Sequence, residues 1–195
     1  MQDEPYMQIA SCDDPATGKE KLQVSNQNIE RLKAIFITRL QTLDHLLTVA
    51  EGHFGAGNQS FLQLRIAPDM FPFGTQVAYV CNQPRNFALW CNGLPVADLD
   101  KQVDSVQQAR EHIAATIALV TALSVDDSLL AAPKHLALGP SLQADLDGAA
   151  YVHEFVVPNL YFHLATAYNI LRMHGVPVGK RDFMTHLLPF VRQAA

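Results

Sequence analysis

Apolar residues at three- and four-residue steps constrain this chain most: Ile29, Leu32, Phe36, Leu40, Leu43, Leu47 and Ala50 fall on one stripe of a helix. A stripe of that length has to be covered by other elements. The period predicts a first helix over about 26 to 52, with Ser25 as its N-cap and Gly52 or Gly55 as its stop. Ala67-Pro68-Asp69 opens a second helix running to Trp90 or Cys91, with Asp69 as cap and Pro72 in the first turn, where its missing N–H costs nothing. Pro84 inside that helix predicts a kink near Val80 to Pro84. A third helix reads from about Val103 to Leu123 on the stripe Val106, Ile113, Ile117 and Val120. The fourth spans about 149 to 174, ends at Gly175 before Pro177, and offers Phe155, Phe162, Ala165, Ile170 and Leu171 to the core.

Between the third and fourth helices, Pro133 to Gly148 alternates apolar and polar residues around Gly139-Pro140, the pattern of two short strands joined by a turn. Four apolar helical stripes and little strand predict an all-α four-helix bundle with a small two-stranded excursion. The link between the first two helices is long enough for a crossover, so chain order alone leaves the topology open. Residues 1–24 are polar and lack a sustained period, which marks an N-terminal arm; 25–183 form the bundle and 184–195 a tail.

Charge excludes several function classes. Lys and Arg total 14 against 19 Asp and Glu, a net charge of −5, and the basic residues are scattered, so no nucleic-acid partner is expected. The longest uncharged helical stretch, Ile113 to Val125, is well short of the ~20 residues of a membrane span, so no membrane partner is expected either. The first 25 residues carry Asp3, Glu4, Asp13 and Asp14 and no apolar signal region, and the 3 cysteines suit a reducing cytoplasm.

Eight histidines invite a metal reading, which their spacing weakens. His153, His163 and His174 lie ten and eleven residues apart, ~15 Å or more along one helix, too far to share an ion. His153-Glu154 lacks the second histidine of a zincin motif, and Cys81 reads as an inert packing thiol. Asn159 and His163 are the sharper pair, one turn apart beside an apolar stripe. Burying an amide and an imidazole without partners costs about 1–3 kcal/mol each, so either a bound ligand or a side-chain network satisfies them, with Gln76 on the second helix the best network partner. Tyr161 and Tyr168 suit a core or dimer surface, and Asp69 could serve as a base at a pocket mouth instead of a cap. Lys180-Arg181-Asp182 reads as a solvated or internally paired turn.

Two stretches carry a resemblance: Arg65-Ile-Ala-Pro-Asp-Met-Phe-Pro-Phe-Gly-Thr-Gln-Val77, and the run from Val157-Pro-Asn-Leu-Tyr-Phe-His163 through Met173-His-Gly-Val-Pro-Val-Gly-Lys-Arg-Asp-Phe183. Together they resemble an uncharacterised bacterial family within the DinB/YfiT-like superfamily. The resemblance implies a DinB-like four-helix bundle, frequently a homodimer. Many members of that superfamily hold a divalent metal with three histidines, one on the second helix and two on the fourth, and some catalyse thiol-dependent transfer or hydrolysis. Aligned on that pattern, Gln76 and Asn159 replace two of the imidazoles and His163 alone keeps its type. An amide oxygen is a poor ligand for zinc or nickel, so no cofactor is expected.

Three functions compete at this stage. One is a small-molecule-binding or divergent bundle with Gln76, Asn159, His163 and Asp69 as pocket candidates. A second is a metal-dependent hydrolase or thiol-dependent transferase, in which His163 holds zinc or nickel with unorthodox ligands such as Asp69. The third is a dimeric interaction module without a pocket.

Overall fold

The computed structural model describes residues 26–193, so the N-terminal arm and Ser25 lie outside the described residues. Four long helices dominate: α1 (Gln27–Phe54), α2 (Phe73–Cys91), α3 (Val106–Thr121) and α4 (Val157–Met173). An antiparallel hairpin of β1 (Pro133–Ala137) and β2 (Gln143–Asp147) lies between α3 and α4, paired from Pro133 with Asp147 to Ala137 with Gln143. The described residues are thus mostly helical with one small sheet, as the periodicities predict. Among the described residues no helix is long and apolar enough to cross a membrane.

The α1 stripe does what its period implies. Ile29, Phe36, Leu40, Leu43, Leu47 and Ala50 are all fully buried, and Gly55 ends the helix at a φ of 93°, a left-handed geometry that suits glycine. At the other end, Asn26 holds the cap position and makes no side-chain cap bond. Instead the carboxylate of Asp127 accepts from the backbone N–H of Asn28 at 3.1 Å and of Ile29 at 3.0 Å. A residue about a hundred positions along the chain satisfies first-turn donors that the sequence assigns to Ser25.

α1 packs chiefly on α3, and α2 packs on both α3 and α4, so the consecutive helices α1 and α2 are not each other's main neighbours. The long link between them, with a 3₁₀ turn at Ser60–Gln63, carries the crossover. Phe36 and Phe87 meet edge to face at 5.4 Å near the centre of the core.

Two element boundaries correct the sequence reading. α2 starts at Phe73 with Pro72 as its cap residue; Asp69 sits four residues earlier in an exposed turn and caps nothing there. The physical reason is that Pro72, at φ −71° and ψ 168°, holds extended backbone until the helix begins. α3 starts at Val106, where the Ser105 hydroxyl accepts from Gln108 N–H at 3.1 Å in a normal N-cap. Pro84 lies inside the continuous α2.

The fourth helix is longer in outline than in regularity. A helical turn at Gly148–Ala150 passes into a π-helical segment, Tyr151–Val156, before α4 proper begins with Pro158 in its first turn. Pro158 brings no N–H to the ladder, and widening the preceding turns is one way a helix absorbs that loss. Gly148 fits against Trp90 because a Cβ there would lie 2.5 Å from the indole and 2.7 Å from the Leu129 carbonyl. Phe162 departs from the core expectation: it is 59% exposed, while Ile170 and Leu171 are buried and Phe155 is half-buried. After α4, the short helix α5 (Lys180–Phe183) and a 3₁₀ segment, Thr185–Phe190, pack back onto α1. Asp182 holds this return, accepting from Gly179 N–H at 2.8 Å and pairing with His45 at 2.8 Å, so of the Lys180-Arg181-Asp182 run the carboxylate is internally paired.

Urea denaturation should separate the two kinds of support. Asp127→Ala is expected to cost about 1 kcal/mol, the scale of a lost helix cap. Phe36→Ala is expected to cost about 3–5 kcal/mol through the cavity it opens. Equal losses for both would contradict the capping role.

Candidate functional site

A cleft opens where the hairpin folds over the seam between α2 and α4. Its volume is about 270 Å³, and it is lined by Tyr79, Asn82, Gln83 and Asn86 of α2, by Val96 and Asp98 of the following connection, by Lys134, Leu136 and Ala137 of β1, and by Tyr151, Phe155 and His163. Each wall has a local cause. The connection after α2 is strapped lengthwise along that helix: Leu99 N–H donates to Asn82 Oδ1 at 2.9 Å, and the Thr75 hydroxyl donates to the Lys101 carbonyl at 2.8 Å. Gly74 permits the close approach, since a Cβ there would meet the Val103 carbonyl at 2.6 Å. In the hairpin, burial alternates along β1, which turns Lys134 and Leu136 inward.

Gln76 and His163 stand at this seam and bond to each other. Gln76 is 2% exposed, and its amide nitrogen donates to the Phe71 carbonyl at 3.2 Å, which fixes its oxygen toward His163. That oxygen lies 2.8 Å from His163 Nδ1. An amide oxygen can only accept, so Nδ1 carries the hydrogen and Nε2 keeps its lone pair. Burial pushes the imidazole pKa down to about 4, so the ring is neutral at physiological pH. Tyr79 lies against it with ring centroids 4.9 Å apart.

Asn159 and Asp69 do not join this pair. The Asn159 amide nitrogen donates to the Phe155 carbonyl at 2.7 Å, a bond back into its own helix where the π-helical segment gives way to α4. Asp69 stays in its exposed turn and does not line the cleft. Of the four pocket candidates, Gln76 and His163 meet, and His163 is the one that lines the cleft. Tyr161 is used elsewhere: Arg39 Nε–H donates to its hydroxyl at 2.9 Å. Tyr168 meets Phe183 of α5 at 5.7 Å between ring centroids. Cys81 is fully buried, its thiol pushed up to about 12 by burial, as suits a packing thiol.

The remaining polar residues of the cleft escaped the sequence reading. Asn86 Nδ2 donates to Asp98 Oδ1 at 2.7 Å, while Asn86 Oδ1 is buried without a partner. Asn82 is the mirror case: its oxygen is taken by Leu99, and its Nδ2 is buried without a partner. Lys134 places its ammonium 5.2 Å from the centre of the Tyr151 ring, and burial lowers its pKa. Burial, with Asp98 adding, raises the Tyr79 phenol, and burial pushes the Tyr151 phenol up to about 12. One signal was available: Gln76, Tyr79, Gln83 and Asn86 recur at three- and four-residue steps, a polar stripe on an otherwise apolar helix. Asp98 and Lys134 come from a connection and a hairpin, and no periodicity points to them.

The donor chemistry can be tested against a three-imidazole metal centre. Gln76 Oε1 is committed to the Nδ1 hydrogen of His163, and the Asn159 amide faces a backbone carbonyl. Among the described residues no group of three or more His, Cys, Asp or Glu side chains could hold an ion. The residues present do not fit that centre.

The model of a domain of unknown function, DUF1993, matches residues 31–184. The crystal structure of a DinB family member protein from Shewanella denitrificans superposes with a TM-score of 0.68 at 26% identity, covering 78% of this chain and 88% of that one. No curated protein matches the chain.

The buried imidazole makes stability depend on pH. In the unfolded chain a histidine takes up a proton near pH 6.5, whereas folded His163 resists protonation down to about 4. Acid therefore favours the unfolded state, and the His163 contribution, complete above about 6.5, is lost as pH falls toward 4. In urea melts across that window, His163→Gln is expected to show a shallower pH dependence than the parent. An NMR titration placing the His163 midpoint near 6.5 would refute the buried neutral ring.

Proposed function

The chain belongs to the DUF1993 family, here a DinB-like helical bundle, and on that premise we propose that the cleft between α2, α4 and the hairpin binds a small molecule. The observation that supports this reading is that His163, at the wall of a cavity of about 270 Å³, is held from behind by Gln76. A neutral ring held in one tautomer presents a single acceptor of defined direction. Aromatic walls from Tyr79, Tyr151 and Phe155 supply contact area, and a few oriented polar groups supply selectivity, the usual composition of a ligand site. The volume suits a compact, single-ring molecule better than a nucleotide.

The test is a fragment screen by heteronuclear NMR on the full chain. Bound fragments are expected to move the ring resonances of His163 and Tyr79, with the response lost in His163→Ala. Fragments that move only resonances away from α2, α4 and the hairpin would defeat the reading. Zinc or nickel, added to protein purified without a metal-affinity tag, is expected to leave Tm unchanged, because the donor set does not suit either ion. A rise of several degrees would favour metal-dependent chemistry at His163 instead.

Self-association is a second and compatible reading. Leu187, Leu188, Phe190 and Val191 form a short run of exposed apolar residues at the end of the described chain, with Phe190 76% exposed. Equilibrium sedimentation at micromolar concentration is expected to give the mass of two chains, and Phe190→Ser to shift it toward one. A strict monomer in the parent protein would dispose of the dimer.

A further inference from the structure

The hairpin sorts its charges by face, because successive side chains of a strand point to opposite sides. On the outer face His135 stands across from Asp145 and bonds to it. On the inner face Lys134 stands across from Leu146, with Leu136 two residues along, so the strand register gives its ammonium no counter-charge. The carboxylate of the cleft does not supply one either. Asp98 Oδ1 accepts from Asn86 Nδ2 at 2.7 Å, and among the described residues no Asp or Glu forms an ion pair with Lys134. Lys33, by contrast, pairs with Glu30 at 2.9 Å.

Lys134 Nζ is held instead 5.2 Å from the centre of the Tyr151 ring, and both residues line the cleft. Among the described residues that nitrogen has no hydrogen-bond partner, and it is not one of the buried unpaired side-chain atoms, so it keeps surface that a small molecule can reach. Its surroundings favour the neutral amine: burial penalises the charged form and lowers the Lys134 pKa. An amine freed in this way is a nucleophile toward carbonyl carbon. Val96, Leu136, Tyr79, Tyr151 and Phe155 give the space an apolar and aromatic lining, and its volume of about 270 Å³ suits a single ring. Asp98 raises the phenol pKa of both Tyr79 and Tyr151, a field that opposes a second anion and favours an uncharged guest.

Resting on the reading of the cleft as a ligand site, we propose that Lys134 captures a small aromatic aldehyde there as an imine. The ammonium first passes a proton to water. The amine lone pair then bonds to the carbonyl carbon while the π pair of the C=O bond moves onto oxygen. Both remaining hydrogens of the amine end on that oxygen, which leaves as water, and nitrogen and carbon are joined by a double bond. Amine and aldehyde thus give imine and water, and no oxidant or reductant takes part.

The test treats the full chain with benzaldehyde and sodium cyanoborohydride, which fixes an imine as a stable benzylamine, and counts the label lysine by lysine through peptide mapping. Lys134 is expected to take the label about tenfold faster than Lys101 or Lys180, a small part of what a held approach can provide. Benzyl alcohol has the same shape without the carbonyl. It is expected to slow labelling at Lys134 and not at Lys101, and to move the ring resonances of His163 and Tyr79 in Lys134→Arg as in the parent. Equal rates at the three lysines, with benzyl alcohol still moving those rings, would overturn the imine and leave the cleft as a binding site. A fast Lys134 that benzyl alcohol does not protect would overturn it too, since the reaction would then owe nothing to the cleft. Equal rates without any ring shift would remove both the imine and the ligand-site reading.

Discussion

The contact on which the candidate site depends is the seam between α2 and α4, where one glutamine and one histidine bond to each other. Such a bond is specific about register. Gln76 is held from behind by the Phe71 carbonyl, so its oxygen can face only one way, and His163 has to arrive at the matching height on α4. A shift of one residue along either helix would bury both groups without partners, at about 1–3 kcal/mol for each. The apolar residues around the pair, among them Val77, Val80, Leu160 and Leu164, supply the driving force for packing but would tolerate several alignments. The polar bond selects among them.

From that seam the cleft follows with few additional parts. The connection after α2 is tied to the helix by Asn82 and Thr75 and approaches closely at Gly74, which brings Asp98 opposite Asn86. The hairpin closes the other side through the inward alternation of Lys134 and Leu136. The π-helical segment at Tyr151–Val156 carries Tyr151 and Phe155 into the same space, and π segments within helices are often found at functional sites. At the seam itself the carboxamide of Gln76 and the imidazole of His163 meet through a hydrogen bond.

How much of this was legible in the sequence depends on where each residue's partner lies. The α1 stripe was legible because burial of an amphipathic helix is a property of its own period. The link from Gln76 to His163 was legible because a polar residue on an apolar helix face requires a partner and the candidates were few. Asn159 satisfied the same logic and yet turned to the Phe155 carbonyl, an outcome governed by the irregular turns before Pro158. Phe162 was read inward from its neighbours, but the start of α4 after a π segment alters the phase of the helix, and the ring faces solvent. The cap at α1 was assigned from sequence to a local residue, and Asp127 supplies first-turn contacts from the segment after α3.

By itself the sequence determined the class of the protein: mostly helical, with four long apolar stripes and one short hairpin, because hydrophobic period and turn chemistry are local properties. Tertiary structure alone decided which polar groups share a cleft and which sense of each hydrogen bond remains open. Asp98 and Lys134 join Asn86 and Tyr151 only when the connection and the hairpin close over α2. An amide carries both a donor and an acceptor until a neighbour takes one of them, and those neighbours, Leu99 for Asn82 and Gln76 for His163, lie 17 and 87 residues away in the chain.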